Sequence, residues 1–262
     1  MLYPVSHQGT LPAQVRFQAA GPRFGNTNAS DPKDHLDLAI SPQAQELNLH
    51  TAVNMLRQFL VLLPQPLQSP AIKLLDRIED ALFKDKLSGV YNRVQFDHVS
   101  ANTFNDFKTH KSSKPIALFM LDLDGFKPIN DTYGHAAGDE AIAKVGRGLQ
   151  ETIEEEVQDR GTVCRIGGDE FAVVLKDTSS SEALGAAEAF RSALKDIRLE
   201  GDASDARIGV SQGIVVLDHQ EGKDLNIHNV RDLKTKADKL MYKAKKASEN
   251  SGIRLETARF ES

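Results

Sequence analysis

The spacing of apolar positions divides the chain into alternating helical and extended segments. From Pro115 onward, Ile116, Leu118 and Met120 fall on one side of an extended chain, and Ala117, Phe119, Leu121 and Leu123 fall on the other. A strand apolar on both faces is central and covered on both sides. Asp122 and Asp124 close it and share the Ile116 face, because strand side chains alternate with a period of two. Further on, Thr162 to Ile166 and Phe171 to Leu175 are short strand-like runs joined through Gly167-Gly168-Asp169-Glu170. Gly-Gly at that point predicts a hairpin with a tight primed turn, which glycine enters without steric cost. Ile208 to Leu217 reads as another strand, interrupted by Gly209 and Gly213, and Ile253 to Leu255 as an edge strand.

Helical spacing fills the intervals. Ser41-Pro42 is a helix start, with Ser as N-cap and Pro in the first position. Leu49, Val53, Leu56, Leu60 and Leu63 then form one stripe that Pro64 and Pro66 end, and Ala71, Leu75, Ile78 and Leu82 repeat it after Ser69-Pro70. Residues 41–84 thus read as a helical extension whose stripes pack either on the body of the chain or on a second copy. Further helices are predicted from about Val94 to Phe107, up to about Glu156, from Ser181 to Ile197, and from about Val230 to Ser248. Residues 1–40 show neither period and read as a disordered tail. Lys111 to Lys114 reads as a polar loop. Helices alternating with strands that include a hairpin indicate an α/β or α+β sandwich with a mostly antiparallel sheet.

Composition narrows the class without naming a chemistry. At 262 residues, 40% hydrophobic and 26% charged, the chain has room for one sizeable domain plus an extension. A formal charge of -5 argues against a general binder of nucleic-acid polymers. The single cysteine, Cys164, permits neither an internal disulfide nor a cysteine-rich metal site and reads as a buried strand residue. No secretory signal and no membrane span are evident, so a cytoplasmic location is expected.

Chemistry concentrates in four places. Polar groups ending a buried strand are costly unless a ligand or metal satisfies them, which makes Asp122 and Asp124 candidates, although aspartates also end many strands as plain turn formers. Asp169 and Glu170 stand at the mouth of the second hairpin strand, a placement suited to a metal. Between Gly125 and Gly138, Lys127 suits a phosphate, and Asn130 and Asp139 suit a base edge; alternatively this is a capped turn with Asp139 in the first turn of a long helix. Lys243, Lys245 and Lys246 gather near the end of the last helix, where the dipole also favours cations. No Gly-Lys-Ser/Thr phosphate loop, zinc-protease helix or dinucleotide fingerprint is present.

Taken in order, these segments resemble the GGDEF family of diguanylate cyclases. Asp85 to Arg93 is similar to the family's opening Asp-x-Leu-Thr-Gly-Leu-x-Asn-Arg, with Ser88 for Thr and Val90 for the second Leu. Asp122 to Asp131, with Gly134-His135 and Gly138-Asp139, resembles its nucleotide-binding segment; Gly167 to Phe171 is the naming motif, and Ala237-Asp238 with Met241 to Lys245 resembles its final helix. The resemblance covers about Asp85 to Leu255, and implies a GGDEF domain over 85–262 with a palm-like, mostly antiparallel five-stranded sheet. It implies that two such domains face each other as a homodimer, each holding one GTP, and form cyclic di-GMP and two pyrophosphates. Each ribose 3'-hydroxyl attacks the opposing α-phosphate with help from two divalent cations per site, magnesium or manganese. By family position Asp122, the Leu123 carbonyl, Asp169 and Glu170 are metal ligands, and Glu170 is alternatively the base for the 3'-hydroxyl. Gly167 and Gly168 lie at the substrate, Asn130 and Asp139 take the guanine edge, and Phe126, Lys127 and Lys245 take the phosphates.

Two departures bear on activity. The family's product-inhibition site is Arg-x-x-Asp, and those positions here are Gln158 and Gly161, so feedback inhibition at that site is not expected. Beyond Lys245 the family commonly places an arginine where this chain has Glu249, and Arg254 substitutes only if the helix end is shifted. A catalytically silent GTP-binding regulatory domain is therefore the alternative to an active cyclase.

Overall fold

The computed structural model describes residues 49–109, 114–247 and 252–260. In chain order its helices are α1 (Leu49–Leu60), α2 (Gln65–Phe83), α3 (Arg93–Lys108), α4 (Phe126–Tyr133), α5 (His135–Glu156), α6 (Ser180–Lys195) and α7 (Val230–Ala247). Its strands are β1 (Ile116–Asp124), β2 (Gly161–Gly167), β3 (Glu170–Leu175), β4 (Gly209–Asp218) and β5 (Ile253–Arg259), which form one five-stranded sheet in the order β2-β3-β1-β4-β5. All pairings are antiparallel except that of β5, which runs parallel to β4. The tail over 1–40, the Ser41-Pro42 helix start, most of the Lys111 to Lys114 loop, and Glu249 lie outside the described residues.

The double-sided pattern of β1 explains its central place. Phe119, Leu121 and Leu123 bury against Ile142, Val145 and Leu149 of α5 and Phe190 of α6. Ile116, Leu118 and Met120 bury against Phe104 and Phe107 of α3 and Leu240 and Met241 of α7. Helices on both faces leave no apolar side of the strand in water. Cys164 lies fully buried in β2, and burial pushes its thiol up to about 12. A capping box starts α6: the Ser179 hydroxyl accepts from the Glu182 amide, and the Glu182 carboxylate accepts from Ser179 N at 2.8 Å.

Three boundaries differ from the expectation. α2 starts at Gln65, before Ser69-Pro70, because the Pro64 carbonyl accepts from Leu67 N at 2.9 Å and Pro66 falls in the first turn, where a missing N–H costs nothing. Pro70 therefore lies inside the helix. α5 starts at His135 behind Gly134, which places Asp139 one turn further in than its sequence position suggested. β5 extends to Arg259, its polar residues Glu256 and Thr257 pairing with Val215 and Val216 where no apolar alternation marks a strand.

Val53, Leu75 and Phe83 form a small separate core where α1 meets α2, and Arg57 reaches Asp76 (2.7 Å) and Glu79 (2.5 Å) across the pair. The His50 ring stacks on Phe83 at 4.0 Å and on His98 of α3 at 3.6 Å. Leu60 and Leu82 pack against this core, but other apolar side chains of the pair stay open: Phe59 is 66% exposed, and Leu56, Leu67, Leu74 and Ile78 are exposed with it.

The seating of α7 on β4 depends on Gly213. A Cβ there would run into the backbone of Ala237 and Met241. Gly213→Ala should therefore force α7 off the sheet and lower stability by about 1–3 kcal/mol, the usual cost of overpacking. Urea denaturation at unchanged m-value measures it, and an unaltered midpoint would refute the close contact.

Candidate active site

The hairpin between β2 and β3 carries its acids on a short turn. Gly167 pairs with Glu170, leaving Gly168 and Asp169 at the tip. Gly168 has φ 45° and Asp169 is not among the positive-φ residues, which is the φ pattern of a type II′ turn with glycine leading. A register shift between Arg165 and Gly167 bulges Ile166 out of the ladder and re-aims the tip. The tip is braced from both sides. Leu123 N on β1 donates to the Asp169 carbonyl at 3.2 Å, and the Arg165 guanidinium donates to the Gly168 carbonyl at 3.0 and 2.8 Å.

The same guanidinium donates to Asp85 Oδ1 at 2.9 Å, and Asp85 also accepts from Ser88 N (2.9 Å) and Ser88 Oγ (2.8 Å). The opening Asp85-x-Leu87-Ser88-Gly89 segment thus clamps the hairpin from outside the sheet. Neither Asp85 nor Arg165 was a candidate site residue in the sequence; the signal for them was motif position, with no local chemistry pointing to a clamp.

Register sets the central feature. Asp122 on β1 stands directly opposite Glu170 on β3, with Asp169 one residue away. Asp122, Glu170, Asp238, Lys239, Met241, Tyr242, Lys243 and Lys245 line an open cleft of about 520 Å³ between the sheet end and α7. The Asp122 side chain is only 12% exposed and is ion-paired with the Lys245 ammonium. Burial holds its carboxyl above the ordinary range in spite of Lys245, and Asp169 and Asp124 add to the rise. Glu170 is raised as well, by burial first and then by Asp122, Asp169 and Asp238. Asp238 was missed as a site residue, although it precedes Lys245 by two helical turns on the same face.

Asp124 behaves differently from Asp122. Ser211 Oγ on β4 donates to both of its oxygens, at 2.9 and 3.0 Å, so the neighbouring strand orients it. Next to it Gly125, with φ 83°, turns the chain into α4, and a Cβ at this point would press on the Arg207 carbonyl. Phe126 is partly buried against the core and Lys127 is exposed. Asn130 lies against Gly138 so closely that a Cβ there would collide with its amide, which brings Asn130 of α4 beside the exposed Asp139 of α5. These four residues do not line the α7 cleft. Their helices flank the other face of the sheet, so the two groups straddle the end of β1.

Asp122, Asp169 and Glu170 offer hard carboxylate oxygens in a place where they repel one another, a donor set that fits a magnesium-like cation. Among the described residues, no three acidic, His or Cys side chains are yet gathered round one point as an ion would need. Asp122 is turned to Lys245 instead. Upstream of the hairpin, Gln158 heads a short 3₁₀ turn, and Arg160 donates to the Asp177 carbonyl at 2.6 Å and faces Glu182 at 3.3 Å. Arg254 stands on β5 opposite Gly213, on a strand and not at the end of α7.

The sequence model described as "Diguanylate cyclase, GGDEF domain" matches residues 82–251. The chain belongs to the GGDEF-domain family. It is 34% identical over 176 residues to the probable diguanylate cyclase DgcC of Escherichia coli, covering 66% of this chain and 43% of that protein. It is 33% identical over 172 residues to the diguanylate cyclase VdcA of Vibrio cholerae, covering 66% of this chain and 46% of the relative. The chain therefore spans less than half the length of these relatives. Among solved structures, the GGDEF domain of YfiN from Pseudomonas aeruginosa superposes with a TM-score of 0.55 at 29% identity, over 64% of this chain and 98% of that one. The coiled coil and GGDEF domain of DgcB from Caulobacter crescentus shares the fold, with a TM-score of 0.59 at 22% identity over 72% of this chain and 93% of that one.

The clamp of this GGDEF domain has a pH signature. Burial alone would raise the Asp85 carboxyl, but hydrogen bonds from Ser88 and Arg165 outweigh it and hold the carboxyl below the ordinary range. The folded state then binds this proton less tightly than the unfolded chain, so the clamp's stabilisation is present above the ordinary carboxylate value of about 3.9 and is lost as pH falls through the depressed one. The stability difference between wild type and Asp85→Asn, from urea titrations at several pH values, should be full at pH 6 and shrink toward zero as pH falls through the depressed value. A difference independent of pH would count against the ion pair.

Proposed function

We propose that this chain is a diguanylate cyclase, condensing two GTP molecules into cyclic di-GMP and two pyrophosphates as a homodimer in the cytoplasm. The observation that carries the reading is the pairing of Asp122 with Glu170 at the tip of the Gly-Gly-Asp-Glu-Phe hairpin, beside a lysine-bearing helix. Acids and cations on facing walls suit a phosphoryl group whose charge grows during transfer. The relatives support the activity: DgcC is named a probable diguanylate cyclase and VdcA a diguanylate cyclase. Among the described residues, no helix is long and apolar enough to cross a membrane.

On this reading Asn130 and Asp139 hold the guanine, the Asp139 carboxylate accepting from ring donors that adenine lacks. Lys127 and the backbone at Phe126 meet the β- and γ-phosphates on one side of β1, and Lys245 meets them on the other. Gly167 and Gly168, without side chains, let the nucleotide approach the turn. Glu170, its carboxyl raised by burial and by neighbouring acids, is suited to accept the proton of the attacking 3'-hydroxyl. Magnesium or manganese ions held by Asp122, Asp169, Glu170 and the Leu123 carbonyl would stabilise charge on the attacking, transferring and leaving oxygens. Each domain presents one GTP, so the attacking hydroxyl comes from a second copy, and the exposed apolar side chains of α1 and α2 support self-association.

A GTP-binding domain without turnover is the second reading, favoured by Glu249 in the position where the family commonly carries an arginine. Purified protein incubated with GTP and magnesium, with products separated by chromatography, should yield cyclic di-GMP. Bound GTP with no product at high protein concentration would leave only the silent domain. Asp169→Ala should lower the rate by more than the roughly 10–100-fold lost when only a residue supporting a metal ligand is removed. Added cyclic di-GMP should leave the rate unchanged apart from competition with GTP, since Gln158 and Gly161 replace the expected Arg and Asp and Arg160 is engaged by Asp177 and Glu182. Strong noncompetitive inhibition would overturn that expectation.

A further inference from the structure

We infer that Lys245 is the resident counter-ion of the nucleotide-free site: its ammonium neutralises the Asp122 carboxylate in place of a divalent cation, and a metal enters as Lys245 is drawn away. The inference rests on the cyclase reading above in taking Asp122 for a metal ligand. Asp122 cannot move to escape its neighbours. It sits on a central strand, opposite Glu170 and close to Asp169, with its side chain 12% exposed. Like charges directly opposite one another on a sheet are destabilising, and a buried carboxylate needs a partner. Asp124 accepts the Ser211 hydroxyl and so is oriented from β4, whereas Asp122 takes the lysine.

Lys245 is suited to such a temporary post. It belongs to the last turn of α7 and its side chain is 45% exposed, so the flexible stem can swing to solvent without opening the core. Lys239 and Lys243 line the same cleft, yet Lys245 is the one that is paired with Asp122. Nucleotide phosphates offer Lys245 a new anion and free Asp122 at the same moment. Metal and nucleotide would then each strengthen binding of the other, as linkage requires when both favour the state with the ion pair broken.

The test uses the full chain without nucleotide and reads binding of manganese by loss of the free-ion electron paramagnetic resonance signal. Lys245→Met should tighten manganese binding by about tenfold or more, because wild-type affinity is reduced by the fraction of molecules in which Asp122 is already taken. Lys243→Met removes the same charge from the same helix and should change affinity by less than about threefold, since exposed charges are screened. Equal or weaker binding by Lys245→Met, or an equal gain in Lys243→Met, would overturn the inference. A second measurement needs no variant: magnesium added to the wild-type protein should raise the acetylation rate of Lys245 relative to Lys239, followed by mass spectrometry, and an unchanged ratio would also overturn it. A protein that passes these tests but makes no cyclic di-GMP refutes the cyclase reading and keeps the counter-ion. An active cyclase that fails them loses only the counter-ion.

Discussion

Asp122 and Glu170 face each other across β1 and β3, two acids in register at the end of an otherwise apolar pair of strands. A sheet normally avoids like charges directly opposite, since their repulsion weakens the pairing they sit on. Here the repulsion is confined to the last rung, where the remaining rungs from Ala117 to Leu121 hold the register with buried apolar side chains. The sheet therefore fixes the acids in space and leaves their charge to be balanced from outside. Lys245 supplies part of that balance, while burial first, and the neighbouring acids after it, hold the carboxyls of Asp122 and Glu170 above the ordinary range.

Two other contacts keep this balance in place. Gly213 lets α7 lie on β4 at backbone distance, which carries Asp238 and Lys245 to the cleft; a side chain at 213 would lift both away. Arg165 links the turn at Gly168 to the Asp85 loop, so the tip of the hairpin is anchored to the segment that leads into α3. Tyr91 adds to this anchoring, its amide donating to the Val163 carbonyl at 3.1 Å and its carbonyl accepting from Arg165 N at 2.7 Å. Displacement of the Asp85 to Arg93 segment would therefore be felt at Asp169 through backbone and guanidinium together.

Much of this was legible in the chain because the strong signals are local. The alternation of Ile116 to Leu123 announced a covered central strand, Gly167-Gly168 announced the turn, and helical spacing announced the last helix from about Val230, whose Leu233, Ala237, Leu240 and Met241 the structure buries against the sheet. The period-two rule also placed Asp122 on the face that α7 covers. What stayed hidden depends on pairing between distant segments. The Asp85–Arg165 ion pair spans 80 positions, and the Lys245–Asp122 pair spans 123. Only motif position pointed to Asp85 and only helical spacing from Lys245 pointed to Asp238; no local chemistry marks either as a neighbour of the hairpin. β5 was short in the sequence because Glu256 and Thr257 follow no apolar alternation, and their strand state comes from the ladder that β4 offers. The start of α2 was misplaced because two prolines fall close together and only the hydrogen bonds to Pro64 decide which one opens the helix.

The arrangement around β1 divides the candidate residues between the two faces of the sheet. Asn130 and Asp139 stand on the α4–α5 side of the strand end, and Lys245 and Asp238 on the α7 side, with the acids of the hairpin between them. A nucleotide laid across that end, as proposed, has its base held on the first side and its phosphates met from both, by Lys127 on the first and Lys245 on the second. On the proposed reading, binding and reaction are divided between copies, and the exposed apolar side chains of α1 and α2, Phe59 and Leu74 among them, are where association would bring the second copy within reach.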